Sequence, residues 1–249
     1  EPFSLTAHHL IGADGAHTMV ARRVGAAVQD AYPVVQAVVE LPGGYKPNVT
    51  RIWFDRQRTR FFFWLIPHSE REGVVGLVAE SPRSARADLD GFLADRGYRP
   101  LKYEGAMIPM HRPFRRMERR VGGGRVLLVG DAASHVKVTT VGGVVTGLWG
   151  AQAAARALLR HTSFRRELRG LHRELWLHDV MRWSMDRFHQ QGYVRLIEMM
   201  NPALRKVLGR RNRDTMAGAW WKLVLAQPGI LGLGLRSLIS PYRDRGQTA

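Results

Sequence analysis

Apolar residues along the first half of this chain fall in short runs broken by turn residues, and along the second half they recur at helical spacing. Residues 8–12 (HHLIG) read as a short buried strand closed by a glycine turn, and Thr18 to Val24 as the start of a helix. The run from Val34 to Leu41 is strand-like, and GGYKPN after it is turn chemistry. RIWFD, RFFFWLIP and GVVGLVAE then follow at short spacing with polar turns between them, the pattern of an antiparallel sheet with one face covered. Asp88 to Arg96 predicts a short helix, and EGAMIPMHRPF returns as extended chain. A glycine turn, VGGG, leads into RVLLV, a fully apolar strand, and an Ala- and Leu-rich helix is predicted from Val144 to Leu159. From Ser163 onward the period is helical, broken at Pro202.

Composition narrows the function classes. The 249 residues are enough for one large domain or two smaller ones, with no low-complexity stretch or fixed repeat. Cys is absent, which excludes disulfides, Cys-based zinc sites and thiol chemistry and suits a reducing, cytoplasmic setting. The net charge of +17 comes mostly from Arg spread along the chain. Codon bias explains such a spread as well as any ligand does. Nucleic-acid binding would need a basic stripe on a known module, and no zinc finger or RRM signature is present. An anionic membrane surface fits the charge better, since clustered cations there each add about 1 kcal/mol. Ten His residues invite a metal reading, but His172 and His178 do not share a helix face at a spacing of six, and there is no HExxH. No metal site is expected, and no G-x-S-x-G nucleophile elbow occurs.

Two strand-turn-helix segments carry candidate chemistry. In the later one, RVLLV runs into Gly130-Asp131-Ala132-Ala133, and Gly142-Gly143 precedes the helix at Val144. An ionised strand-end carboxylate is acceptor-only and suits ribityl or ribose hydroxyls. Adjacent glycines let the backbone approach a ring, and a helix start offers unpaired N–H groups that would stabilise negative charge on a reduced isoalloxazine. The plain alternative is an ordinary turn with Asp131 as a cap. The earlier segment, Gly12-Ala13-Asp14-Gly15 followed by Thr18, Val20, Arg22 and Arg23, repeats the arrangement, about a hundred β-rich residues upstream.

GADG-x-x-T-x-V-x-R-R resembles the DG motif of the flavoprotein hydroxylase-like superfamily, with Thr18 where Ser is usual, and LLVGDAA resembles its GD motif. The continuation SHVKVTTVGGVVTGL resembles the geranylgeranyl reductase form, GDAAGFVKPTTGGGI, with Val138 in place of Pro and Val141 in place of the first Gly of the triplet. Phe62 to Pro67 resembles the reductase pattern YxWxFP and also the WxWxIP of flavin-dependent halogenases. The resemblance implies an α/β (α+β) chain with a discontinuous FAD-binding domain (1–26 and 121–160), an inserted antiparallel sheet that binds substrate (27–120), and a helical C-terminal region (161–249). It implies FAD contacts from Gly12, Asp14, Gly15, Gly130, Asp131, Ala132, Gly142, Gly143 and Val144, and substrate contacts from Phe62, Trp64 and Pro67. The same aromatic stripe reads equally as core. No GxGxxG appears; the family places it upstream of the GADG strand, so the resemblance implies that the N-terminal part of the FAD domain is missing from this sequence, and the chain alone is expected to hold FAD weakly and to purify colourless.

The activity implied is reduction of isoprenoid double bonds, with NAD(P)H or a ferredoxin supplying electrons and an isoprenoid or other apolar small molecule as substrate. The alternatives are a flavin-dependent halogenase or aromatic hydroxylase, and a truncated chain without flavin. Against the halogenase, the loop after Ala133 has Lys137-Val138 where those enzymes usually carry Asp-Pro. The apolar stretch from Met216 to Leu235, interrupted by Lys222 and Pro228, predicts a buried helical pair or, second, interfacial membrane contact.

Overall fold

The computed structural model describes residues 4–26, 30–113, 116–209, 216–218 and 220–239. The expected domain boundary at residue 27, Phe114 of the extended segment, Ala219 of the apolar stretch and the closing residues 240–249 lie outside them. The chain folds into two units, one of residues 1–31, 109–183 and 205–226, the other of residues 32–108, 184–204 and 227–249.

The first unit is built on a three-stranded sheet in the order β1-β8-β7. β1 (His9–Gly12) and β8 (Gly124–Leu128) run parallel, with Gly12 opposite Leu128. β7 (Glu118–Val121) makes a hairpin with β8 around Gly122-Gly123, where Gly122 has φ +57°. A Cβ on Gly124 would lie 1.9 Å from the His8 carbonyl oxygen, so glycine is required for this close pairing. α1 (Met19–Arg23) follows β1, and α3 (Val144–Leu159) follows β8. α3 turns Ala153, Ala154 and Ala157 toward Leu127, Leu128 and Val129, and Phe164 of α4 (Phe164–Glu167) joins this core with Leu171 and Leu175 of α5 (Arg169–Met185). Small alanines on the inner face let α3 lie close to the sheet.

In the second unit five strands run in the order β3-β4-β5-β2-β6: β2 (Ala31–Glu40), β3 (Arg51–Trp53), β4 (Phe63–Pro67), β5 (Glu72–Val78) and β6 (Arg99–Pro109). The β3–β4, β4–β5 and β5–β2 pairings are antiparallel. One face packs on α2 (Pro82–Ala94): Phe63, Leu65, Val75 and Leu77 meet Leu89, Phe92 and Leu93, with the Phe63 and Phe92 rings stacked at 4.0 Å. Side chains alternate along this strand: Phe62 and Trp64 are half-buried on the opposite face while Phe63 and Leu65 are fully buried.

The structure corrects several expectations. α2 begins at Pro82, six residues before Asp88, because the Ser81 hydroxyl caps it by accepting the Arg83 N–H and proline suits the first helical position. The extended return begins at Arg99 rather than at Glu104 and ends at Pro109. The helical run is already broken between α5, which ends at Met185, and α6 (Gln190–Glu198), and Pro202 opens the next helix, α7 (Pro202–Gly209). The helices after residue 160 are shared between both units rather than forming one region. α8 (Trp220–Ala226) and α9 (Gly229–Ile239) form on either side of Pro228, but the pair is not buried. Leu233 is covered, while Trp221, Leu225, Leu231 and Leu235 are exposed. Among the described residues no helix is long and apolar enough to cross a membrane.

Candidate functional site

The parallel pairing of β1 and β8 brings the two Gly-Asp turns together. The Val129 N–H donates to the Gly12 carbonyl at 3.0 Å, so Gly12-Ala13-Asp14-Gly15 and Gly130-Asp131-Ala132-Ala133 leave the sheet side by side at the carboxyl ends of their strands. In open α/β sheets this is where ligands bind. Gly12 is buried; a Cβ there would come within 2.9 Å of both Leu128 and Val20, so glycine lets α1 close on the sheet. Gly15 (φ +78°) and Gly130 (φ +59°) take left-handed turns with open space where a side chain would be.

The two carboxylates have different surroundings. Asp14 accepts the N–H groups of Met19 (2.6 Å) and Val20 (3.0 Å) at the start of α1. Burial pushes its carboxyl up, but the Thr18 hydroxyl and these two amides outweigh that and hold it below the ordinary Asp value. Both amides go to Asp14 Oδ2, which fastens the start of α1. Asp131 sits half-buried in a 3-10 turn over Gly130–Ala133, and burial pushes its carboxyl up. A Cβ on Gly143 would lie 3.0 Å from Asp131 Oδ1 and one on Gly147 would lie 3.3 Å from Gly130 Cα, so the glycines relieve a tight approach of α3 to this turn. Ala132 is fully buried under it, whereas Val144, the first residue of α3, is 80% exposed. The open helix start, the half-buried carboxylate and the space over Gly15 and Gly130 form a cradle that fits the ribityl and ring end of a flavin.

The loop from Ser134 to Gly143 is held from beneath. Lys137 pairs with Gly142 in an isolated antiparallel bridge, its N–H donating to the Gly142 carbonyl at 3.1 Å, and the Lys137 side chain is buried. Val141 has φ +54°, a left-handed conformation that a β-branched residue adopts only under constraint. The Thr146 hydroxyl of α3 donates to the His135 carbonyl, and the buried His135 ring lies against Gly150. The Thr139 hydroxyl meets His178 Nδ1 at 2.5 Å; His178 Nε2 is 3.6 Å from Glu174, whose carboxylate accepts the N–H groups of Met216 (2.6 Å) and Ala217 (2.7 Å). Burial raises the Glu174 carboxyl, but His178 and the two amides outweigh it and hold it below its ordinary value. Sequence reading passed over this chain of contacts. Glu174 and His178 have the i, i+4 spacing of one helix face, yet nothing in the sequence ties them to Thr139.

Phe62, Trp64 and Pro67 lie in the second unit. The indole of Trp64 fills the notch above Gly76, where a Cβ would come within 2.4 Å of it, and packs edge-on against Phe62. Phe62 in turn meets Phe54, which stacks on Tyr193 at 4.4 Å. A 1460 Å³ cavity in this unit is lined from Ile52 to Thr59 and by α6, with many charged and amide groups; Phe62, Trp64 and Pro67 are not among its walls. Among the described residues no group of three or more His, Asp or Glu could hold a metal ion.

No family model matches the chain. A curated protein, digeranylgeranylglycerophospholipid reductase 2 of Methanothermobacter thermautotrophicus, is 29% identical over 145 residues, 54% of this chain. The resemblance is to the geranylgeranyl reductases. The solved geranylgeranyl bacteriochlorophyll reductase-like protein of Thermoplasma acidophilum superposes with a TM-score of 0.64 at 16% identity over 91% of this chain. The flavin-dependent brominase Bmp2 gives 0.59 at 16% identity over 92%, and the flavin-dependent halogenase BrvH of Brevundimonas sp. BAL3 gives 0.54 at 18% over 94%. At these identities the superpositions establish the fold, common to the reductase-like and halogenase structures. The chain spans 36% of the curated reductase and 62%, 64% and 54% of the three solved chains.

Proposed function

We propose that this chain carries the ribityl- and ring-holding part of an FAD-dependent oxidoreductase of the geranylgeranyl reductase type, acting on isoprenoid double bonds. The observation that carries the reading is the side-by-side emergence of the two Gly-Asp turns, with Asp131 half-buried against the start of α3. FAD, when bound, supplies the hydride chemistry. Asp131 is the acceptor for ribityl hydroxyls, and such donors favour its ionised form against the upward push of burial. Gly142, Gly143 and Val144 keep the approach to the helix start open, and the positive end of α3 favours electron-rich atoms placed there. The buried Lys137 and the Thr139–His178–Glu174 contacts keep the loop in place.

For the substrate, the Phe62–Trp64 face offers apolar surface that recognises a prenyl chain by burial rather than by hydrogen bonds, with Pro67 at the end of the same strand. The exposed Trp221, Leu225, Leu231 and Leu235 and the net charge of +17 support peripheral contact with an anionic membrane, where such lipids reside. NAD(P)H or a ferredoxin is the electron source in this reading. A flavin spectrum bleached by NAD(P)H without halide or aromatic substrate, and re-oxidised by a geranylgeranyl lipid, supports it. Bleaching that leads only to halogenation or hydroxylation of an aromatic substrate refutes it.

A further inference from the structure

A second cavity in the first unit, about 480 Å³, lies between residues His111, Pro113 and Arg116–Glu118 on one side and the helices α4 and α5 on the other. Its floor is apolar, made by the buried Met117, Phe164 and Leu168. Arg116 and Arg165 stand on its walls, and among the described residues neither makes an ion pair. The carboxylate beside them, Glu118, is taken by Arg125 at 2.8 Å. His172 lines the cavity with its Nε2 buried and without a hydrogen-bond partner, while neighbouring His111 is held by Asp179 at 2.7 Å. Burial, with His111 and Arg165 nearby, holds the His172 pKa below its ordinary value, so the ring is neutral near pH 7. Trp176, one turn further along α5, leaves 59% of its surface exposed at the same cavity.

Two guanidinium groups without carboxylates, an imidazole with an unmet hydrogen bond and an exposed indole over an apolar floor form an amphipathic anion site. We propose that this cavity binds a small molecule that carries a phosphate or carboxylate on an apolar ring or chain, with Arg116 and Arg165 holding the anion, His172 completing its hydrogen bonds and Trp176 covering the apolar body. None of these residues belongs to the Gly-Asp turns, so the inference does not depend on flavin binding.

The general attraction of a cationic protein for anions is the rival explanation, and a control arginine separates the two. Phenyl phosphate, benzoate and inorganic phosphate are titrated calorimetrically into the purified protein at about 0.15 M salt, where long-range attraction is screened. The expected result is saturable binding of phenyl phosphate or benzoate, at least tenfold tighter than inorganic phosphate, and whichever binds tighter identifies the anion. Arg165→Ala and Arg116→Ala are each expected to weaken it about tenfold or more, and Arg86→Ala, on α2 in the other unit, to leave it unchanged. His172→Gln is expected to weaken it less, and the His172 ring proton resonances are expected to shift on binding. Absence of saturable binding, equal affinity for inorganic phosphate, or an equal loss in Arg86→Ala would overturn the proposal.

Discussion

Replacing Gly150 by alanine sets two effects of comparable size against each other. Gly150 lies in the middle of α3, where alanine is favoured over glycine by about 1 kcal/mol, so propensity alone predicts a more stable protein. The structure predicts the reverse. A Cβ at this position would lie 2.1 Å from His135 Nδ1 and 2.4 Å from Cε1, against the 3.4 Å of ordinary contact, so the ring must retreat by more than an ångström. It has little room: His135 is fully buried, its carbonyl is held by the Thr146 hydroxyl, and its Nε2 is 3.3 Å from the Met117 sulfur. Overpacking of this kind costs about 1–3 kcal/mol, and at so short a distance the upper part of that range applies. The net expectation is a loss of about 1–2 kcal/mol in unfolding free energy, read from urea denaturation followed by circular dichroism. A double-mutant cycle with His135→Ala should recover about 1 kcal/mol or more as coupling between the two sites. A Gly150→Ala protein as stable as the parent, or more stable, would refute the packing of α3 against the loop.

Val141→Gly should stabilise the protein by about 1 kcal/mol, despite the added chain entropy, because a β-branched residue with φ +54° carries left-handed strain that glycine lacks; an unchanged or lower urea midpoint would contradict that backbone conformation. Glu174→Gln should cost about 1.5–3 kcal/mol near pH 7 by removing charge from two buried amide contacts. Because the folded-state pKa of Glu174 is depressed, its contribution is complete above the ordinary glutamate value and is lost as pH falls through the lower, folded one. Urea midpoints of the parent and variant should therefore converge below about pH 4, and a gap that does not change with pH would count against the ionised carboxylate.

Much of the scaffold was legible because its signals are local. RVLLV is an apolar run closed by glycine, and the α3 limits of Val144 and Leu159 follow from the Gly pair before the helix and its Ala- and Leu-rich face; HHLIG does form a strand, but not the buried one expected, since His9, Leu10 and Ile11 are exposed and only Gly12 is covered. The two faces of β4 were readable from Phe62 to Leu65, since alternation has a period of two. β7 was not readable: its ERRV segment is mostly exposed and has no apolar face, and only pairing with β8 makes it a strand. The start of α2 was marked by Ser81-Pro82, a cap signal that the apolar pattern downstream obscured. At the candidate site, Asp131, Asp14 and the glycines around them were visible as residue types, but the two amides of α1 that Asp14 accepts could be placed only by coordinates, because a turn carboxylate suits a ligand hydroxyl and a helix start equally well. The positive φ of Val141 runs against the residue's own preference, and the contacts of Thr139 with His178 and of Glu174 with Met216 and Ala217 join positions about forty residues apart.

The central claim is that Asp131, against the start of α3, holds a flavin. Its most direct test is the titration of FAD into the parent protein and into Asp131→Ala, following the quenching of flavin fluorescence, with circular dichroism to show that both are folded. Loss of a charge-assisted partner is worth about 1.5–3 kcal/mol, so the account predicts weak but saturable binding to the parent, in keeping with a colourless preparation, and an affinity roughly ten- to a hundredfold weaker again in the variant. Equal affinities for the two proteins, or no saturable binding to the parent, would contradict it.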